Sequence, residues 1–305
     1  CFGACATGGD AFDFVMRIEN FDFRRALEQL ARRAGVQLEP PSPAAAAKKD
    51  MRDRLREALA QADTFYRAQL TTPAGAAARE YLSNRGYGGD VAAEFGLGWA
   101  PDSWSALGGR LKSTGFSEEE LLAAGLVRPS DRGGVYDTFR GRLTIPIRDP
   151  QGRPVGFGAR TLDPEGQPKY INSPQSDVFD KSRTLYALDR AAQAIRADEV
   201  AVVVEGYTDV IRAHTAGYRN VVASLGTALT ENHVARLKRY APTIVLALDA
   251  DAAGTQATLR GLQVAQGAAS GDALPVVGPR GLISYEQRLE VDLRVAVLPE
   301  GQDPD

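Results

Sequence analysis

The sequence predicts a two-part fold: a mixed α+β segment followed by an α/β segment with a mostly parallel, Rossmann-like sheet. Three observations predict it. The chain has 305 residues, which at about 100–200 residues per domain leaves room for two. Toward its end, four apolar runs, VAVVVE (200–205), NVVASLG (220–226), TIVLALD (243–249) and LRVAVLP (293–299), alternate with stretches of helical periodicity. That is the pattern of buried parallel strands joined by crossover helices. Between Leu97 and Pro154 the chain instead breaks into short apolar runs punctuated by glycine.

The elements follow in order. Over residues 10–34, Phe14, Val15, Ile18, Phe23, Leu27 and Leu30 recur at helical spacing, with the polar Asn20 and Asp22 dividing two helices. Gly35 ends the second. EPPSPAAAAKKD (39–50) reads as a linker. A helix is expected over 51–70 and a short one over 75–84. LTIPIRD (143–149) and VGFGAR (155–160) read as strands around a turn at DPQGRP, though their Gly and Pro content argues against a central, fully buried sheet. Helices are then expected in YTDVIRAHTAGY (207–218), in TENHVARLKRYA (230–241) with Thr230 as N-cap, and in AAGTQATLRGLQVAQ (252–266).

Composition excludes more than it selects. With 44% hydrophobic and 25% charged residues the chain is ordinary globular protein. Its net charge of −3 carries no whole-chain sign of a polyanion partner. The distribution is uneven: residues 1–195 hold 26 Lys/Arg against 25 Asp/Glu, and residues 196–305 hold 10 against 14. The only cysteines, Cys1 and Cys5, offer no disulfide framework, so a reducing, cytoplasmic setting is expected. No apolar run approaches the ~18 residues of a membrane span. The chain opens on Cys1, not Met, and stops inside an acidic run at Asp305, which reads as a fragment at both ends.

The chemistry gathers at the strand ends. Open α/β sheets bind ligands at the carboxyl ends of their strands. Glu205 closes the first run and Asp249 the third, while Asp303 follows the fourth; Asp209, Asp251 and Asp305 lie close behind. Any one of these acids could be a solvated turn residue or a helix cap. Together on one rim they would repel, and oxygen-ligated divalent cations, Mg²⁺ best of all, supply the compensation. EGYTD (205–209) and LDADAAG (248–254) match the Toprim signature of an E-G pair on one strand and D-x-D on another.

With those residues in place, the sequence resembles the bacterial DnaG-type primases over nearly its whole length. The opening CFG..C.....GDAFDFVM is similar to the end of their zinc ribbon. FRGRLTIPIRDPQGRPVGFGAR (139–160) and PKYINSPQSDVFDKSRTLYAL (168–188) are similar to their two core motifs, and EGYTDV, ASLGTALT, LDADAAG and LPEGQDPD follow in family order. The resemblance implies a zinc-ribbon remnant at 1–38, the linker at 39–50, a basic subdomain at 51–195 and a Toprim catalytic domain at 196–305. It implies an enzyme that makes RNA primers on single-stranded DNA by metal-dependent nucleotidyl transfer. The partners would be template DNA, ribonucleoside triphosphates, the RNA–DNA hybrid and, through a C-terminal domain beyond this sequence, the replicative helicase of the primosome; no membrane is involved.

The residue roles it implies are specific. Glu205, Asp249 and Asp251 would be catalytic and would bind Mg²⁺ or Mn²⁺ with Asp209, Asp303 and Asp305. Arg85, Arg160, Lys169, Tyr170, Asn172 and Lys181 would meet nucleic acid and nucleotide, cations neutralising phosphate without reading sequence and an aromatic stacking on a base. Departures are visible too. Cys1 and Cys5 are spaced by three residues where the family has two, and an upstream ligand pair is absent, so Zn²⁺ is not expected to be held by this stretch. GDALPVVGPRGL (271–282) reads as an inserted surface loop. His214 and His233 read as packing or surface residues, and among Phe95, Trp99 and Trp104 core packing is favoured over a base-stacking platform. The alternatives are a Toprim nuclease or topoisomerase and a non-catalytic single-strand-binding module.

Overall fold

In the computed structural model, the described residues are 10–19, 21–36, 42–226, 229–247, 274–277, 283–286 and 291–296. The chain divides into two compact units, residues 1–50 and 51–305.

The first unit is a helical hairpin. In α1 (Ala11–Ile18) the Asp10 carboxylate accepts from the N–H groups of Phe12 and Asp13, and the Asp13 side chain reaches back to the Asp10 N–H, satisfying donors that a helix start leaves open. Asp22 caps α2 (Phe23–Arg33) in the same manner, and Gly35 follows it at φ +67°. The expected break between the two helices is therefore where the acidic caps put it.

The long helix α3 spans Pro43–Thr71. It starts eight residues earlier than predicted, inside the stretch read as a linker. The reason is local: Ser42 caps the first turn, Pro43 opens the helix where its missing N–H costs nothing, and the Ala–Lys run after it has high helix propensity. Its apolar face (Leu55, Leu59, Ala62, Tyr66) is buried.

A 3₁₀ turn (Pro73–Gly75) leads into α4 (Ala76–Asn84), α5 (Gly89–Phe95), β1 (Gly98–Ala100), α6 (Ala106–Ser113), α7 (Glu118–Ala123), the β2–β3 hairpin (Val127–Pro129, Val135–Asp137), β4 (Arg142–Arg148), β5 (Pro154–Thr161) and β6 (Tyr170–Asn172). Strands β1, β4, β5 and β6 form an antiparallel sheet in that order. Here the sequence reading needs correction: β4 and β5 are the two central strands and are largely buried. Glycine sits where another element presses close. A Cβ on Gly158 would lie 2.4 Å from the Tyr207 ring, and one on Gly156 would lie 3.1 Å from Ser173. Pro146 falls beyond the span paired with β1, where β4 has an open edge and a missing N–H is tolerated.

The second sheet is parallel, in the order β12–β9–β7–β8. It is built from α8 (Leu188–Asp198), β7 (Val200–Val204), α9 (Tyr207–Thr215), β8 (Val221–Ala223), α10 (Glu231–Leu237), β9 (Thr243–Leu246) and, after the short antiparallel pair β10 (Leu274–Val277) and β11 (Ile283–Glu286), β12 (Asp292–Val295). All four apolar runs are strands of one sheet, as predicted, and Thr230 caps α10. The stretch 271–282, read as a loop, contains β10. The helix expected over 252–266 lies outside the described residues. Alternation along β7 serves two cores: Ala201 and Val203 join α8 and α10, while Val204 meets α9 and the antiparallel sheet. A third core packs α3 against Phe139, Phe157 and Ala159.

Candidate active site

Strand order places the site before any side chain is considered. From β7 the chain steps to β8 on one side and later to β9 on the other. Neighbouring strands whose connections diverge leave a crevice at their carboxyl ends. Val203 and Leu246 are register partners there, and Glu205 is the first residue beyond β7.

Gly206 and Asp209 shape the turn that follows. Asp209 is buried, and its Oδ2 accepts from the Gly206 N–H at 2.8 Å, so this carboxylate caps the start of α9. The helix start has positive character and favours the charge. Glu205 and Asp209 both line a cavity of about 360 Å³.

The opposite wall is basic. Arg85 at the end of α4, Arg160 on β5, Lys169, and Tyr170 and Asn172 on β6 line the same cavity. Arg160 is held firmly: its Nη1 donates to the Tyr170 hydroxyl at 2.8 Å, and its guanidinium lies 4.9 Å from the Tyr81 ring centre and 5.4 Å from that of Tyr170. Arg85 also faces Tyr81, at 5.5 Å. Stacked guanidinium groups are pre-ordered for a planar or tetrahedral oxyanion. Of eight predicted site residues among the described ones, seven (Glu205, Asp209, Arg85, Arg160, Lys169, Tyr170 and Asn172) meet in this cavity. Lys181 does not line it; its carbonyl faces His233 Nε2 at 3.0 Å.

Tyr207 and Tyr81 are additions that sequence reading missed. Tyr207 donates its hydroxyl to Asn172 Oδ1 at 2.6 Å, and burial pushes its phenol well above the ordinary range. An aromatic directly after a Glu-Gly pair, in the first turn of a helix, was the available signal. Asp249, Asp251, Asp303, Asp305, Cys1 and Cys5 lie outside the described residues. Among the described residues, no group of three His, Cys, Asp or Glu could hold a metal ion.

Both histidines are buried. His214 Nε2 donates to the Val221 carbonyl at 2.9 Å, and His233 Nε2 donates to the Lys181 carbonyl while its Nδ1 accepts from Thr230. Desolvation lowers the pKa of each. Phe95 and Trp99 belong to the core. Trp104 does not: it is 67% exposed, edge-on to Tyr136, with Arg140 stacked 4.2 Å from its ring centre and 4.9 Å from that of Tyr136. These three line a broad second cavity with Arg132.

Comparison with known proteins agrees with this fold. Residues 65–192 match the DNA primase catalytic core, N-terminal domain; residues 199–271 match the Toprim domain; and residues 1–45 match the CHC2 zinc finger. A DNA primase from Deinococcus radiodurans is 46% identical over 88% of this chain and 45% of its own length. The chain spans about half the length of the curated relatives it matches. Among solved structures, the RNA polymerase domain of Mycobacterium tuberculosis primase DnaG superposes with a TM-score of 0.70 at 37% identity, covering 83% of this chain and 78% of that one. A DnaG primase catalytic domain bound to single-stranded DNA gives a TM-score of 0.73 at 35% identity, covering 84% and 77%.

Proposed function

This chain belongs to the bacterial DnaG-type primases, and from that premise we propose that it carries the nucleotidyl-transfer centre that extends RNA primers on single-stranded DNA. Residues 51–195 supply the basic subdomain, 196–305 the Toprim domain, and 1–38 the end of a zinc ribbon. One observation carries the reading: a single cavity sets Glu205 and Asp209, at the carboxyl edge of a parallel sheet, against Arg85, Arg160 and Lys169.

The donor chemistry fits a hard divalent cation. Glu205 and Asp209 offer only oxygen; Asp209 Oδ2 accepts from the Gly206 N–H and its Oδ1 from the Thr208 hydroxyl, and each carboxylate oxygen can accept more than one contact. Asp249 and Asp251, placed by sequence just past β9, and Asp303 and Asp305, past β12, complete the proposed set for Mg²⁺ or Mn²⁺. Bound there, the ion would acidify the primer 3′-hydroxyl and offset charge on the leaving pyrophosphate. The chain's own cations do the rest. Arg85, Arg160 and Lys169 neutralise the triphosphate and the strand backbone, and the two arginines, fixed against their aromatic partners, help hold the reacting groups in line. The likeness to a single-strand-bound neighbour supports a DNA template as partner, and the Trp104–Tyr136–Arg140 cluster offers an aromatic face for an unpaired base. Ribonucleoside triphosphates, the RNA–DNA hybrid, a helicase partner and a place at the replication fork follow from the family reading.

The deciding experiment incubates the protein with single-stranded template, labelled ribonucleotides and Mg²⁺ or Mn²⁺. Metal-dependent incorporation, abolished in E205A while strand binding is retained, is the expected result. Cleavage of the template with no incorporation would instead assign a Toprim nuclease. Binding with neither reaction would leave only a strand-binding module.

A further inference from the structure

Tyr207 lies between the two carboxylates in sequence and lines the same cavity, yet it offers no charge and is only 5% exposed. Its ring covers Gly158 so closely that no Cβ fits there, and it stands edge-on to Tyr186, with ring centres 4.8 Å apart. A phenol so deeply placed needs a partner for its O–H. That partner is Asn172 on β6 of the antiparallel sheet, the register partner of Gly158.

The far end of the amide fixes which way it points. Asn172 also faces the Leu225 carbonyl, at 3.1 Å. A carbonyl can only accept, so the end turned to it is Nδ2, and the end turned to Tyr207 is the oxygen. One amide N–H remains, and the two contacts stop it from exchanging places with the oxygen. Leu225 itself has φ +64° and is followed by Gly226 at φ +70°. A leucine in the left-handed region persists only where its surroundings hold it. Both residues line the cavity with Asn172.

We infer that Tyr207 is a positioning residue: its hydroxyl sets the Asn172 amide as a hydrogen-bond donor on the wall of the nucleotide cavity and ties the Leu225–Gly226 turn to β6. The inference rests on the cavity being the nucleotide site, as proposed above. The relay joins the α9 start, beside Glu205, to β6 and to the end of β8, so three walls of one cavity keep their spacing through two hydrogen bonds.

The test is a double-mutant cycle of Y207F and N172A, read by extension of a pre-annealed primer–template and by thermal melting. Loss of one such bond corresponds to about a fivefold effect. Y207F is expected to raise KM for the ribonucleotide about fivefold, with kcat and melting temperature nearly unchanged. The double variant should be no worse than N172A alone, because the two residues act as one unit. A wild-type KM in Y207F, effects that multiply in the double variant, or a KM rise that tracks lost stability would each overturn the inference. If Y207F melts without cooperativity, N172L carries the test. It keeps the volume and adds no charge but removes both hydrogen bonds of the relay, so the same rise in KM is expected, and an unchanged KM overturns the inference. Wild-type protein that fails to extend primers would sink the nucleotide-site reading itself, which is a separate outcome.

Discussion

Arg160 shows how a single side chain acquires a role from its neighbours. Its charge alone was legible from the motif around it; its two aromatic plates and its bond to Tyr170 were not, because Tyr81 lies 79 positions upstream on another element. R160K keeps the charge and loses the flat, forked group that stacks and donates in two directions. Nucleotide binding should weaken about tenfold, the scale of one charge-assisted hydrogen bond to phosphate; calorimetric titration checks this. The histidines illustrate the opposite outcome. Each is buried and neutral, with a pKa below the ordinary imidazole value. The unfolded chain therefore binds their protons first as pH falls, so their contribution to stability is complete above about pH 6.5 and is lost on acidification through the depressed values. Melting temperatures measured from pH 7.5 to 5 should fall, and H233Q should flatten part of that slope.

At the scale of elements, strands and helices with a strong repeat were readable, and those whose logic is tertiary were not. The parallel strands β7, β8 and β9 announce themselves as continuous apolar runs because both faces are largely covered, whereas β12 at the sheet edge is mostly exposed. The central place of β4 and β5 was hidden, since Gly156 and Gly158 are there for the side chains that lie over them. A similar borrowed support holds α6. Its own Ser105 makes no cap, and the buried Asp137 of β3 instead accepts from Leu107 and Gly108 at 2.7 and 2.8 Å. D137A would strand two buried N–H groups, at roughly 1–3 kcal/mol for each unpaired donor. The urea midpoint should drop markedly while the slope of the transition stays the same.

The whole molecule carries a net charge of −3 and yet presents a basic wall to its cavity, so strand binding should depend on a few local cations. K169A should lower the slope of log affinity against log salt by about 0.7, the value of one phosphate contact on a single strand. An equal slope in the variant would place Lys169 away from the strand. On this scale the sequence announced both kinds of sheet but not how they are fused. Leu143 and Ile145 of one share a core with Val204 of the other and with Val210 and Ile211 of α9, and Asp63 on α3 pairs with Arg148 on β4 at 2.9 Å.

That common interior limits how such a chain can be recombined. Two recognisable modules meet near residue 195, and a gene-level junction there looks convenient. Cutting at it would strip the oily lining from both halves at once, and a graft from a distant relative would have to match side-chain volumes it never evolved beside. Substitutions on one side of that seam should therefore be answered by substitutions on the other.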